Sequence, residues 1–175
     1  MYKKTLLILL FFTGLLYGES ATIHPVVKSA ILPGWGAAAL HKSKRARIFR
    51  LTEISLVTAC ISAYTSSGHQ AKQYKSFAVE HAGVDSRGKS HEYWVDIGNY
   101  NTNIDFDSEH LRMRDEKKGQ WSEYPWDWNK NHANRKKFEN MRIDSDKYFL
   151  AGKFLIGGII MNHIISSINT LYITR

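Results

Sequence analysis

Cysteine occurs once in the 175 residues, at Cys60, and proline only three times. A single thiol excludes an intrachain disulfide framework and any Cys-rich zinc site. So few prolines exclude collagen-like and Pro-rich linker character. Strand-type alternation is missing, and no segment repeats. Acidic charge is scarce outside the middle of the chain. Residues 66–147 hold 14 Asp+Glu and 14 Lys+Arg, which leaves two acidic and ten basic residues elsewhere. The whole net charge of +8 therefore lies outside that balanced middle. Lys42, Lys44, Arg45 and Arg47 fall within six residues, and Arg50 follows. A nucleic-acid surface would spread its cations to track phosphates, so nucleic acid is not an expected partner. A basic cluster directly before an apolar helix is what a cytoplasmic membrane flank looks like. A solvated charged helix face is the alternative.

Hydrophobic residues make up 43% of the chain and charged residues 23%, a composition that folds, at a length that suits one domain. The apolar residues gather into four stretches. Lys3 and Lys4 precede the first, Thr5 to Gly18, which carries no charge. At about 21 Å as a helix it is short of the roughly 30 Å hydrocarbon core. Gly18 and Ser20 are small residues two apart, so residues 1–20 read as a signal peptide cut after Ser20, or as an uncleaved N-terminal anchor. A buried core helix is the alternative. No cysteine directly follows the run, which excludes a lipoprotein anchor. Residues 21–175 then form a single helical domain.

The second stretch, about 26–40, is interrupted by Lys28 and by Pro33-Gly34, and reads as two short helical pieces around a break. The third, about 46–66, has Arg50 and Glu53 three apart, within pairing distance on a helix. The fourth, about 148–173, is long enough to span a bilayer. Lys153 near its start can snorkel. Gly152, Gly157, Gly158, Ser166 and Ser167 permit close helix packing. Asn162, His163 and Asn169 lie deeper, where polar groups are costly unless they face protein or water, so one face of this helix should meet the third stretch. A core helix of a soluble bundle is the competing explanation. The polar insert, about 67–147, is helical by pattern. It should contain a short helix from Ser90 to Ile97 ended by Gly98, and a helix over about 106–116 capped by Asp105. A long helix should begin near Asn131. The expected fold is all-α: a membrane-associated helical bundle with two long helices extending from the bilayer into a polar insert.

Two orientations compete. If the first stretch crosses outward and the broken second stretch returns, the Lys42–Arg50 cluster is cytoplasmic and the insert exoplasmic, which satisfies the charge bias. The second stretch is short for a span and is alternatively re-entrant or interfacial. If the signal is cleaved, the insert is cytoplasmic and the basic cluster lies on the wrong side. The first orientation is favoured.

At Ser29 to Gly36, SAILPGWG, the chain resembles a family of small bacterial membrane proteins of unknown function. Leu32, Pro33, Gly34, Trp35 and Gly36 match its S-x-L-P-G-x-G-type motif, and MNHIISSIN, with Met161, Asn162 and Asn169, resembles its closing segment. Members often carry Gln and an aromatic after the motif, where this chain has Ala37, Ala38 and Ala39. The resemblance implies a signal-like start, an apolar helix, a polar helical insert and a final apolar helix. It implies nothing catalytic.

Candidate chemistry is thin. Ser86 and Lys89 form an S-x-x-K pair, but Gly88 lies between them in polar surroundings, so a solvated turn is the better reading. Asp105, Asp107, Glu109 and Glu116 occupy positions 1, 3, 5 and 12 of a calcium-loop frame whose sixth position is His110 instead of Gly. No two of the eight histidines fall at metal-ligand helical spacing. His163, ionisable within an apolar helix, is a functional candidate or a hydrogen-bond partner for a neighbouring helix. Trp121, Tyr124, Trp126 and Trp128 around Pro125 suggest core or interface packing, with a glycan-stacking surface as the alternative. No cofactor or metal is expected. The sequence points to a non-enzymatic, exported or integral membrane protein of the cell envelope. Its expected partners are the lipid bilayer and an envelope protein. A soluble exported helical binding domain is the alternative, and a membrane-bound hydrolase using Ser86 and Lys89 or His163 a more distant one.

Overall fold

The computed structural model describes residues 23–175. The expected signal segment, 1–20, lies outside them. The described residues are all-helical, with six helices: α1 (Pro25–Ile31), α2 (Trp35–Ala39), α3 (Ser43–Ala82), α4 (His91–Asn99), α5 (Asn103–Met113) and α6 (His132–Thr174). They contribute to two compact units. One takes its described residues from 23–53 and 160–175; the other is Ile54–Ile159.

Local chemistry explains most of the helix limits. Pro25 opens α1, where its missing N–H is no loss. Ser90 caps α4 by accepting from the Tyr93 amide at 3.3 Å. α4 does not stop at Gly98 as expected. It runs one residue further, to Asn99, with Gly98 buried against Phe138 of α6. The next helix also differs. Thr102, not Asp105, is its N-cap, accepting from the Asp105 amide at 3.0 Å. Asp105 lies in the first turn, where its charge suits the helix dipole. The helix closes at Met113 because Arg114 adopts a left-handed conformation, φ 55°. Asn131 starts α6 by accepting from the Asn134 amide at 3.0 Å.

The Ile54–Ile159 unit is built on aromatic rings. Tyr74 from α3, Tyr93 and Trp94 from α4, Phe106 from α5 and Phe138 from α6 are buried together with Trp121, Trp126 and Trp128 of the loop before α6. The rings meet edge to face: Tyr74 and Phe138 at 5.5 Å, Tyr93 and Trp126 at 5.8 Å. Three indole N–H groups are satisfied inside this core. Trp121 donates to Asp96 at 2.9 Å, Trp126 to the Tyr100 carbonyl at 3.1 Å and Trp128 to the Ile97 carbonyl at 2.8 Å. Of the four clustered aromatics only Tyr124 is exposed, and the Lys89 ammonium stacks over its ring, 3.1 Å from the centroid. Burying one such ring stabilises by roughly 1.5–3 kcal/mol, which makes this loop a core element. Elsewhere in this unit α3 and α6 approach through small residues. Ser145 donates to the Ser67 carbonyl at 3.0 Å, and Gly152 lies against the Tyr64 ring.

α6 is the one helix among the described residues that is long and apolar enough to cross a membrane, and only 17% of its most apolar window is buried.

The core predicts an alkaline limit to stability. Burial, reinforced by the Asp146 charge and opposed by Arg142, pushes the Tyr74 hydroxyl up to about 12 from 10.0. Burial, with Asp85 adding, pushes Tyr93 up to about 12 as well. Folding therefore favours the protonated phenols. Their contribution is complete below the ordinary tyrosine value and is lost as pH rises through about 12. A Tyr74→Phe, Tyr93→Phe double variant should keep its helical circular dichroism to higher pH than the wild type; coincident alkaline midpoints would contradict this.

Candidate functional site

The densest polar chemistry of the 23–53 and 160–175 unit lies beneath the Pro33-Gly34 turn. Gly34 holds φ 82°, and a β-carbon there would come within 2.5 Å of the Ala46 carbonyl oxygen, so conformation and space both require glycine. A β-carbon on Gly36 would collide with the Pro25 carbonyl oxygen and the Ser29 hydroxyl. The glycines therefore let the turn lie directly on α1 and on the start of α3. Pro33 is fully buried, Leu32 is exposed, and Trp35 is half-buried with the Lys28 ammonium 5.8 Å from its ring centroid.

Two hydrogen-bonded groups tie this turn to α6. In the first, the Gly34 amide donates to the Ser166 hydroxyl at 2.7 Å. The Gly36 amide donates to Ser29 Oγ at 3.0 Å, and Ser29 Oγ lies 2.7 Å from Thr170 Oγ1. Thr170 donates to the Ser166 carbonyl at 2.9 Å. Each hydroxyl has one proton, so the chain runs one way: Gly36 to Ser29 to Thr170 to Ser166. Ser29, Ser166 and Thr170 are all buried.

In the second group, Glu53 presents both carboxylate oxygens to α6. Oε2 accepts from Asn162 Nδ2 at 2.9 Å, and Oε1 lies 3.2 Å from His163 Nε2. Asn162 Nδ2 also donates to the Phe49 carbonyl at 3.2 Å, and His163 Nδ1 lies 2.7 Å from the Ala30 carbonyl oxygen. A carbonyl oxygen only accepts, so Nδ1 carries a proton. Nε2 faces a carboxylate, so that contact also needs a proton between nitrogen and oxygen. With both ring nitrogens engaged in this way, His163 faces no nucleophile.

The sequence-derived candidates divide accordingly. Gly34, Gly36, Glu53, Asn162 and His163 meet in this clasp. Asn169 is half-buried, and its amide oxygen is enclosed without a partner among the described residues. The expected Arg50–Glu53 pair does not form. Arg50 is exposed and makes no ion pair among the described residues, while Glu53 lies on the α3 face turned to α6. A partly desolvated carboxylate gains more from two fixed donors than from one solvated guanidinium. Trp121, Trp126 and Trp128 belong to the aromatic core of the other unit. Ser86 is exposed, and Lys89 is spent on Tyr124. The calcium-loop frame is not a loop. Asp105, Asp107 and Glu109 ride on α5, and Asp107 accepts from the Gly119 amide at 2.8 Å. Among the described residues no three acidic, His or Cys side chains are close enough to hold a metal ion.

Ser29, Ser166 and Thr170 as partners of the turn did not emerge from the sequence. Their signal is the spacing of Asn162, Ser166 and Thr170, a polar stripe every fourth residue on an otherwise apolar helix.

Compared with known protein families, curated proteins and solved structures, the chain finds no match in any of the three.

The clasp predicts a graded loss. Glu53→Ala leaves Asn162 and His163 facing an empty place and should cost about 1–3 kcal/mol, and Glu53→Gln distinctly less, because an amide can still accept from Asn162. Thermal unfolding of the purified protein measures both; equal losses would show that accepting from Asn162 is not what the side chain contributes. Ser166→Ala, which strands the buried Gly34 amide, should destabilise by a similar amount, about 1–3 kcal/mol.

Proposed function

We propose that this chain is an integral protein of the bacterial cell envelope, an interaction component with no catalytic role. Residues 1–20 would direct its export, and the inner membrane would hold it. The observation that carries this reading is the reversed polarity of the last turns of α6. Asn162, Ser166 and Thr170 point inward and are buried, while Ile160, Met161, Ile164, Ile165, Ile168 and Leu171 point outward and are exposed. A helix on the surface of a water-soluble protein has the opposite arrangement. Apolar side chains outside and hydrogen-bonded small polar side chains inside suit hydrocarbon, where every polar group needs an internal partner.

In this reading the Leu32–Gly36 turn lies in the broken stretch that returns the chain to the cytoplasmic side, held to α6 because its freed amides have no water to meet. The resemblance of SAILPGWG to the motif of a small membrane-protein family supports the same architecture. The charge balance supports an insert on the exoplasmic side, with the Lys42–Arg50 cluster in the cytoplasm. The insert, held by its buried aromatic core, would present an envelope partner with a folded surface. His163, tied at both nitrogens, supports a structural role for the clasp over hydrolysis.

Alkaline carbonate treatment of membranes carrying the protein tests this directly. Retention in the pellet is expected, and release into the soluble fraction would favour a soluble exported domain. With Cys60 replaced, single cysteines at Ser43 and Ser108 report orientation. Labelling from outside at Ser108 but not at Ser43 is expected, and the reverse pattern would invert the topology.

A further inference from the structure

The membrane reading leaves open what the basic surplus binds, and the geometry of one end of the 23–53 and 160–175 unit answers it. The turn at Gly34 lies against Ala46 near the start of α3, and Ser29 bonds Thr170 near the end of α6. The start of α3, the turn and the end of α6 therefore share one end of the unit. Lys42, Lys44, Arg45, Arg47 and Arg50 are gathered at or near that end, all exposed. None of them enters an ion pair among the described residues, whose Lys and Arg pairs lie elsewhere. The described residues of the unit hold seven Lys+Arg and one acid, Glu53, which is already committed to Asn162 and His163.

These cations are not placed to serve their own helix. The first turn of α3 carries no acidic residue, and positive side chains at a helix N-terminus oppose the macrodipole. Their placement suits an external anion. The same end carries two amphipathic rings, half-buried Trp35 and Tyr172, the latter 77% exposed. Just beyond the cations, on the same side of α3, the exposed residues become apolar: Ile48 follows Lys44 by four positions, and Leu51 follows Arg47 by four. α6 repeats the order, with Tyr172 at the end and Ile168, Ile165 and Ile164 behind it. Cations and aromatic rings at one level with aliphatic side chains below reproduce the layering of phosphodiester headgroups over acyl chains.

We propose that this end is a docking surface for anionic phospholipid, with headgroup phosphates against Lys44, Arg45 and Arg47 and acyl chains along Ile48 and Leu51. The proposal rests on the membrane reading and adds to it a lipid class. A salt-sensitive preference for anionic over zwitterionic lipid follows from the charge.

The test uses the full chain purified in a non-ionic detergent, with thermal unfolding measured after adding phosphatidylglycerol or phosphatidylcholine at equal mole fraction. Phosphatidylglycerol should raise the midpoint by about 2–8 °C over phosphatidylcholine at low salt, and most of that difference should vanish at high salt. A variant with Lys42, Lys44, Arg45, Arg47 and Arg50 all changed to Gln should lose the difference while keeping the response to phosphatidylcholine. Should that variant not fold, the salt arm on the wild type decides alone. Equal shifts with the two lipids, or a salt-insensitive preference, would overturn the proposal. So would an equal shift with water-soluble glycerophosphoglycerol at the same phosphate concentration, which would mark a free-anion site. Failure of the membrane reading itself registers separately, as release by carbonate.

Discussion

Buried polar groups on an apolar helix must find partners, and the 23–53 and 160–175 unit follows from that requirement. Asn162, Ser166 and Thr170 recur every fourth residue on one face of α6, so they need a polar neighbour along the whole of that face. The Pro33-Gly34 turn has the complementary problem, since it breaks a helix and frees its amides. Setting the turn on the stripe solves both. Gly34 and Gly36 supply amide donors, Ser29 supplies a relay, and Glu53 answers Asn162 and His163. The glycines are what make the approach possible, because a β-carbon at either position would strike a backbone carbonyl oxygen. The turn and the helix are therefore mutually dependent, and neither would be stable in an apolar setting alone.

The Ile54–Ile159 unit meets a different constraint. Its charges nearly cancel, 15 Lys+Arg against 14 Asp+Glu, and its helices between α3 and α6 are short, with nine residues in α4 and eleven in α5. Helices of that length are marginal by themselves and need a core to hold them. Tryptophan and tyrosine provide large apolar area per residue, and their polar ends are used to tie loop to helix. Trp121 holds Asp96 and Trp128 holds the end of α4. The burial that keeps Asp96 raised above the ordinary aspartate range is opposed by the Trp121 donor, a sign that the loop and α4 are packed as one piece.

In three places the folded chain departs from what its local sequence suggests. Gly98 looked like a helix stop because glycine is a weak helix former, yet α4 carries it as a helical residue packed against Phe138, where a β-carbon would also have fitted at ordinary contact distance. Asp105 and Thr102 are both good caps, and their order along the chain did not say which would be used; the Thr102 hydroxyl was the one that reached an open amide. Arg50 and Glu53 had the right spacing to pair, and spacing was blind to the asparagine and histidine that α6 brings to the carboxylate from 109 and 110 residues away. The aromatic loop admitted several fates, and only the packed rings distinguished a core from a surface.

Composition and periodicity were sufficient for most of what depends on neighbours in the chain. They determined the all-helical class, the break at Pro33-Gly34, the start of the last helix near Asn131, the balance of charge in the middle and the surplus of cations before α3. Tertiary structure alone decided which polar groups meet. Ser29 and Thr170 are 141 residues apart, Gly34 and Ser166 132, and His163 and Ala30 133. A hydrogen-bond donor in a sequence advertises a need without naming its partner. Only the docking of the turn onto α6 sets the distances and directions that satisfy it, and those turned a net charge of +8 with scattered polar residues into a clasp at the basic end of the unit.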